Sequence, residues 1–199
     1  LMDSLALASA INKGQVNIYN AINESWDSKM EAGGVFDYDL SEVRRERTGR
    51  LRKMFNPKRA GKRPAQMDTS TSLYQRFNPD KFHYNKVGDV EIIAQGLNLG
   101  GIDTDIIINT RPFLRGHILI TPERTKEHNQ YFIPQVATVA LEMLKRVNRR
   151  SYKLAYNSVG AFASINHLHL QALDYPEEKM PVEEEEKKLL FKNNGVSVW

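Results

Sequence analysis

Between Ile165 and Leu173 the chain alternates with a period of two. Ile165, His167, His169, Gln171 and Leu173 fall on one side, and Asn166, Leu168, Leu170 and Ala172 on the other. Successive side chains of a strand point to opposite faces. Leu168, Leu170 and Ala172 therefore give an apolar back that packs on a core. The opposite face carries two imidazoles and an amide in register, more than a strand needs for stability alone. Just upstream runs Asn157-Ser158-Val159-Gly160-Ala161-Phe162-Ala163-Ser164, small and rich in backbone donors. Such a loop can approach phosphate oxygens closely.

The elements around this stretch follow from pattern. Residues 4–31 read as helical, with Ile18, Ile22, Trp26 and Met30 at helical spacing and Gly33-Gly34 closing the segment. Core packing accounts for Trp26. Residues 36–40 read as a short edge strand, and residues 44–71, with Pro57, Gly61, Pro64 and little periodicity, as a long ordered loop or mobile arm. Residues 90–94, 105–109, 117–120 and 152–156 read as strands. Pro134 opens a helix running to about Arg149, with Val136, Ala140, Met143 and Val147 on one stripe and basic residues at its end. A short helix is expected over 182–191. Strand, strand, strand, helix, strand, strand predicts an α+β fold, an antiparallel sheet with packed helices. The expected partition is 1–76, a helical and basic segment; 77–176, the catalytic domain; and 177–199, an acidic tail.

Composition excludes several classes. The 199 residues contain no cysteine, so neither disulfides nor thiolate metal sites are available, and a reducing cytosol is the expected compartment. No apolar run is long enough to span a bilayer, and no signal peptide is visible. The first residue is Leu1, which suggests a fragment or a processed product. Residues 44–63 carry ten cations against Glu46 alone, while Glu177, Glu178 and 183–186 concentrate acid. A solvated segment explains the basic run best, a nucleotide-phosphate contact next. Without interleaved aromatics, no nucleic-acid partner is expected.

His167-Leu168-His169-Leu170-Gln171 resembles the histidine-triad superfamily, in particular its transferase branch, where Gln replaces the third His. The longer run from Asn157 to Gln171 resembles the GDP-hexose phosphorylases, the GDP-D-glucose phosphorylases of animals and GDP-L-galactose phosphorylases of plants. The resemblance implies a histidine-triad-like fold and turnover of a GDP-hexose with inorganic phosphate, without a cofactor. GDP-D-glucose is the preferred substrate and GDP-L-galactose the alternative. It places the nucleophile at His169 and sets Gln171 against the phosphate, with Asn157 and Ser164 on the diphosphate. His167 either donates to phosphate oxygens or orients its neighbour. Backbone N–H groups from Gly160 to Ala163 are expected to stabilise developing charge; for Ser158 and Gly160 a tight turn explains the residues equally well. Gly116-His117 resembles the superfamily's strand opening, which implies a structural His117, and Lys62-Arg63-Pro64 matches a basic element ahead of the core. His83 and His128 fit surface or core roles.

An imidazole attacking phosphorus divides one displacement into two, and the attacking nitrogen must be unprotonated. An amide at Gln171 cannot act as a general acid, which suits a leaving group that departs as an anion. Two histidines two apart can also bind a metal, with a third ligand from His117 or a distant carboxylate. With no cysteine and no second such pair, no metal is expected. Chains of the resembled family are commonly about twice this long, so a short form that at most binds guanine nucleotide is the non-enzymatic alternative.

Overall fold

The computed structural model describes residues 2–49, 51–60, 74–161, 163–175, 183, 191–193 and 196–198. Helix α1 (Ser4–Asn12) starts at Asp3, whose carboxylate accepts the Ala6 N–H at 2.7 Å. Helix α2 (Ile18–Ala32) starts at Asn17, whose side-chain oxygen accepts the Asn20 N–H at 3.1 Å. Such caps satisfy donors that a helix start leaves open. Ile18, Ile22 and Trp26 are buried as the spacing predicts. The Trp26 indole N–H donates to the His117 carbonyl at 3.3 Å.

Residues 36–40 form bends, where a strand was expected. Asp39 offers the backbone a local bond that competes with a ladder, its carboxylate accepting the Ser41 N–H at 2.9 Å, while the Asp37 carboxylate is held by the distant Arg111 side chain at 2.6 Å. The described part of the basic segment carries secondary structure where a long ordered loop or mobile arm was expected. Strands β1 (Arg44–Thr48) and β2 (Leu51–Phe55) form an antiparallel hairpin, followed by the short helix α3 (Pro57–Ala60). Every residue of β1 is exposed, so no apolar alternation marked it as a strand. Lys62-Arg63-Pro64 lies outside the described residues.

The main sheet contains β3 (Ile92–Leu99), β4 (Ile102–Ile108), β5 (Ile118–Pro122), β6 (Tyr152–Ala155) and β7 (Leu170–Asp174), in the order β3-β4-β5-β7-β6. All neighbours are antiparallel. Gly100 and Gly101, at φ 65° and 84°, make the two-residue β3–β4 turn. Helix α4 (Pro134–Val147) lies between β5 and β6 in sequence and buries Val136, Val139, Met143 and Val147. Its C-terminus is Asn148, in the left-handed region at φ 47°.

The three long helices share one face of the sheet. Ile22, Trp26, Val139 and Met143 pack there with Ile106, Ile118, Leu168, Leu170 and Ala172. Burying each such aliphatic side chain contributes about 1.5–3 kcal/mol. The helices of the N-terminal segment thus belong to the same core as the sheet. On the opposite face Tyr84, Ile107 and Leu119 form a smaller cluster. Gln171 pairs in register with Leu119, which puts the His-Gln row on that second face. Outside the sheet, β8 (Phe191–Asn193) pairs with β9 (Val196–Val198). Phe191 is therefore in a strand where a helix was expected; of residues 182–190, only Glu183 is described, and it is helical.

Candidate active site

The alternation from Ile165 to Leu173 holds, although regular strand begins only at Leu170. Leu168, Leu170 and Ala172 face the helices. His167 and His169 lie on the approach to β7, with 0% and 5% exposure. The His169 Nδ1 is 2.8 Å from the His167 carbonyl oxygen. A carbonyl only accepts, so Nδ1 carries the proton and the lone pair is left on Nε2. Burial pushes the His169 pKa down to about 4, against the opposing pull of that carbonyl. The imidazole is a free base at neutral pH. The Tyr84 ring stands edge-on to it, centroids 5.0 Å apart.

Both ring nitrogens of His167 are taken by backbone. Nδ1 accepts the Tyr84 N–H at 3.0 Å, and Nε2 donates to the Arg124 carbonyl at 2.9 Å. Burial pushes its pKa down to about 4 as well. Of the two roles expected for this residue, donation to phosphate has no free nitrogen to make it. Orientation of its neighbour runs through its carbonyl. Arg124 is itself held by a nearly buried ion pair, Nε to the Asp105 carboxylate at 2.6 Å, and by an NH1 bond to the Tyr84 carbonyl at 3.1 Å.

Gln171 is fixed by His117. The His117 Nδ1 accepts the Phe113 N–H at 3.1 Å, so Nε2 is the donor, and it meets the Gln171 Oε1 at 2.9 Å. His117 has no exposed surface, and burial pushes its pKa down to about 4. The Gln171 side-chain nitrogen is turned toward Asn157 Oδ1, 3.4 Å away. Phe113 stacks on the His117 ring at 5.3 Å, and the Arg59 guanidinium sits 3.7 Å above the Phe113 ring. A shallow groove lined by Leu40, Val43, Arg45, Phe113 and Arg115 opens beside it.

The small-residue loop differs from expectation in one respect. The N–H groups of Ala161 and Ala163 both donate to the Ser158 carbonyl, at 2.9 and 3.0 Å. They close a turn and do not point outward as free anion donors. Gly160 is exposed within the turn Val159–Ala161, and Ser164 is exposed beyond it. The Asn157 amide nitrogen donates to the Ala161 carbonyl at 3.2 Å.

Sequence reasoning missed the residues that hold the histidines. Gln130 is fully buried and bonds the main chain at His169 and Asn157. It stands in the irregular stretch before α4, where no periodicity singles it out. Tyr84 and Arg124 hold His167 through backbone groups that leave no sequence pattern, and Asp105 acts at one remove, through the carboxylate that pairs with the Arg124 side chain. His83 is buried against Phe77, and the His128 carbonyl accepts the Leu168 N–H at 2.8 Å. Among the described residues no three His, Asp or Glu side chains cluster to hold a metal, and no helix is long and apolar enough to cross a membrane.

The yeast Ap4A phosphorylase Apa2, solved with Ap4A, is similar in fold: TM-score 0.63 at 16% identity, covering 90% of this chain and 60% of that one. The α+β architecture expected from sequence, an antiparallel sheet with packed helices, is the observed one, and that phosphorylase shares its fold. The human GDP-D-glucose phosphorylase 1 is 28% identical over 82% of this chain and 44% of its own length. The Arabidopsis thaliana GDP-L-galactose phosphorylase 2 is 29% identical over 87% and 45%, and the Danio rerio GDP-D-glucose phosphorylase 1 is 27% identical over 92% and 53%. The chain spans about half the length of the curated relatives it matches. The family described as "GDPGP1-like, N-terminal domain" matches residues 17–173, nearly the whole sheet with α2 and α4, and the chain belongs to that family.

Proposed function

We propose that the chain acts as a GDP-hexose phosphorylase, converting a GDP-hexose and inorganic phosphate to GDP and hexose 1-phosphate through a guanylylated His169. The observation that carries this reading is the 2.8 Å bond from His169 Nδ1 to the His167 carbonyl, which leaves a neutral Nε2 as the nucleophile. Nε2 attacks the α-phosphorus; the bond from that phosphorus to the bridging oxygen breaks, and hexose 1-phosphate leaves as an anion. A phosphate oxygen then attacks the same phosphorus, the P–N bond breaks, and GDP departs with His169 restored. Splitting the displacement in this way needs no proton on the leaving group.

Gln171 presents its side-chain N–H group to the non-bridging oxygens, held in that orientation by His117. Asn157 lies beside it, and the Ser164 hydroxyl and the Gly160 edge of the turn face solvent where a diphosphate would enter. Similarity to GDP-D-glucose and GDP-L-galactose phosphorylases is nearly equal, 28% against 29%, and both hexoses fit the proposal. The test uses GDP-glucose labelled at the α-phosphorus, with phosphate withheld. One label per chain should bind in an acid-labile, alkali-stable linkage, with a matching burst of glucose 1-phosphate, and phosphate should release GDP. His169→Asn should abolish capture and turnover with the fold intact; turnover near the wild-type rate would sink the assignment.

A further inference from the structure

Strands β6 and β7 pair from Tyr152 opposite Asp174 to Ala155 opposite Gln171. Two residues further in the same register, Asn157 would stand opposite His169. The ladder does not close there. The side-chain amide of Gln130, with no accessible surface, lies between the two main chains. Its Oε1 accepts the His169 N–H at 2.8 Å. Its Nε2 donates to the carbonyls of His169 and Asn157, each at 2.9 Å. The Gln130 N–H is itself tied to Asn166 Oδ1 at 2.9 Å.

Satisfying buried backbone groups does not by itself call for this arrangement. Direct pairing of Asn157 with His169 would serve the same N–H and carbonyl groups without burying a side-chain amide. Inserting an amide is useful only where the strands must part. They part where His169 leaves one strand and Asn157 the other, with the Gln171 amide reaching across to Asn157 at 3.4 Å. We propose that Gln130 is a positioning residue. It wedges β6 and β7 apart and fixes the main chain of His169 and Asn157, so that both side chains address one phosphate. The inference rests on the reading of His169 as nucleophile.

Two variants and two readouts test it. Gln130→Met keeps the length but makes no hydrogen bonds. Gln130→Glu keeps the shape, and its carboxylate faces two carbonyls without a donor until it is protonated. In single-turnover labelling, Gln130→Met should capture guanylyl about 100-fold more slowly, as expected for a small misplacement of a reacting group, while its affinity for GDP changes by less than about threefold. Hydrogen exchange at the His169 amide should rise by about 100-fold while exchange in β4 stays as in the wild type, because that N–H is donated to Gln130. Gln130→Glu should regain capture as pH falls from 8 to 6, a limb absent from the wild type. Capture by Gln130→Met within threefold of wild type, or unchanged His169 exchange, overturns the proposal. So does a wild-type pH profile in Gln130→Glu, which decides the matter if the Met variant does not fold. If the wild-type chain takes up no label, the nucleophile reading fails, and His169 exchange still tells whether Gln130 holds the strand.

Discussion

Three buried imidazoles should govern how this protein loses stability in acid. His117, His167 and His169 have 0%, 0% and 5% exposure, and burial pushes each from an ordinary 6.5 down to about 4. Unfolding returns all three to the ordinary value. Because the folded pKa lies below the unfolded one, the unfolded chain takes up protons between these limits that the folded chain refuses. Stability is therefore full above about pH 7 and falls as pH drops through the window toward 4. Near pH 5.25 each imidazole gives a difference of about 0.9 proton, so three give a slope of about 3.6 kcal/mol per pH unit. Integrated from pH 7 to pH 5, the loss is about 5–6 kcal/mol, comparable with the whole stability of a domain at the low end of about 5–15 kcal/mol. Urea unfolding at constant ionic strength, at half-unit steps from pH 7 to pH 5, measures it. Staying above pH 5 keeps out Glu123 and Glu142, whose carboxyls are held below the ordinary range by bonds to Lys126 and Arg146. A slope worth less than about one proton would refute the claim that these rings are buried neutral. His117→Asn should lower the proton count by about one.

Arg124→Met leaves the Asp105 carboxylate buried without its cation, and should cost about 3–5 kcal/mol in urea unfolding; a loss below about 1 kcal/mol would class the pair with surface bridges. Gly116→Ala puts a Cβ 2.7 Å from Asn23 Oδ1 at φ 72° and should cost about 1–3 kcal/mol. An unchanged melting temperature would contradict that contact. His167→Asn should slow capture and lower stability together, because the ring ties the main chain at Tyr84 and Arg124. A pure loss of rate with wild-type stability would return this residue to direct phosphate contact.

Where side chains alternate or recur, the sequence was readable. The period of two around His169 placed Leu168 and Leu170 on the core and Gln171 on the site, and the stripe of Val136, Met143 and Val147 placed α4. Strand β1 was not readable, because a strand with no buried residue carries no pattern. Residues 36–40 misled, because their alternation competes with the Asp39 side chain, which bonds the local backbone. The site shows the same division. His169 and Gln171 were legible as types in register, whereas Gln130, Tyr84 and Arg124 work through amide and carbonyl contacts between distant segments.

Three imidazoles of the site face, His117, His167 and His169, have their protons placed by main-chain groups: His169 by the His167 carbonyl, His167 by the Tyr84 N–H and Arg124 carbonyl, His117 by the Phe113 N–H. A carbonyl orients an imidazole as a carboxylate does but adds no full charge, so it raises the pKa less. Burial then outweighs it, and His169 remains a free base where a carboxylate-paired histidine would be partly protonated. That suits attack on phosphorus, in which the base form is the reagent and a protonated form is inert. It leaves the proposed reaction without a ready proton for its leaving group, and Gln171, turned by a neutral His117, supplies none. A sugar phosphate, which departs as a stable anion, fits such a site; an amine, which must be protonated to leave, does not.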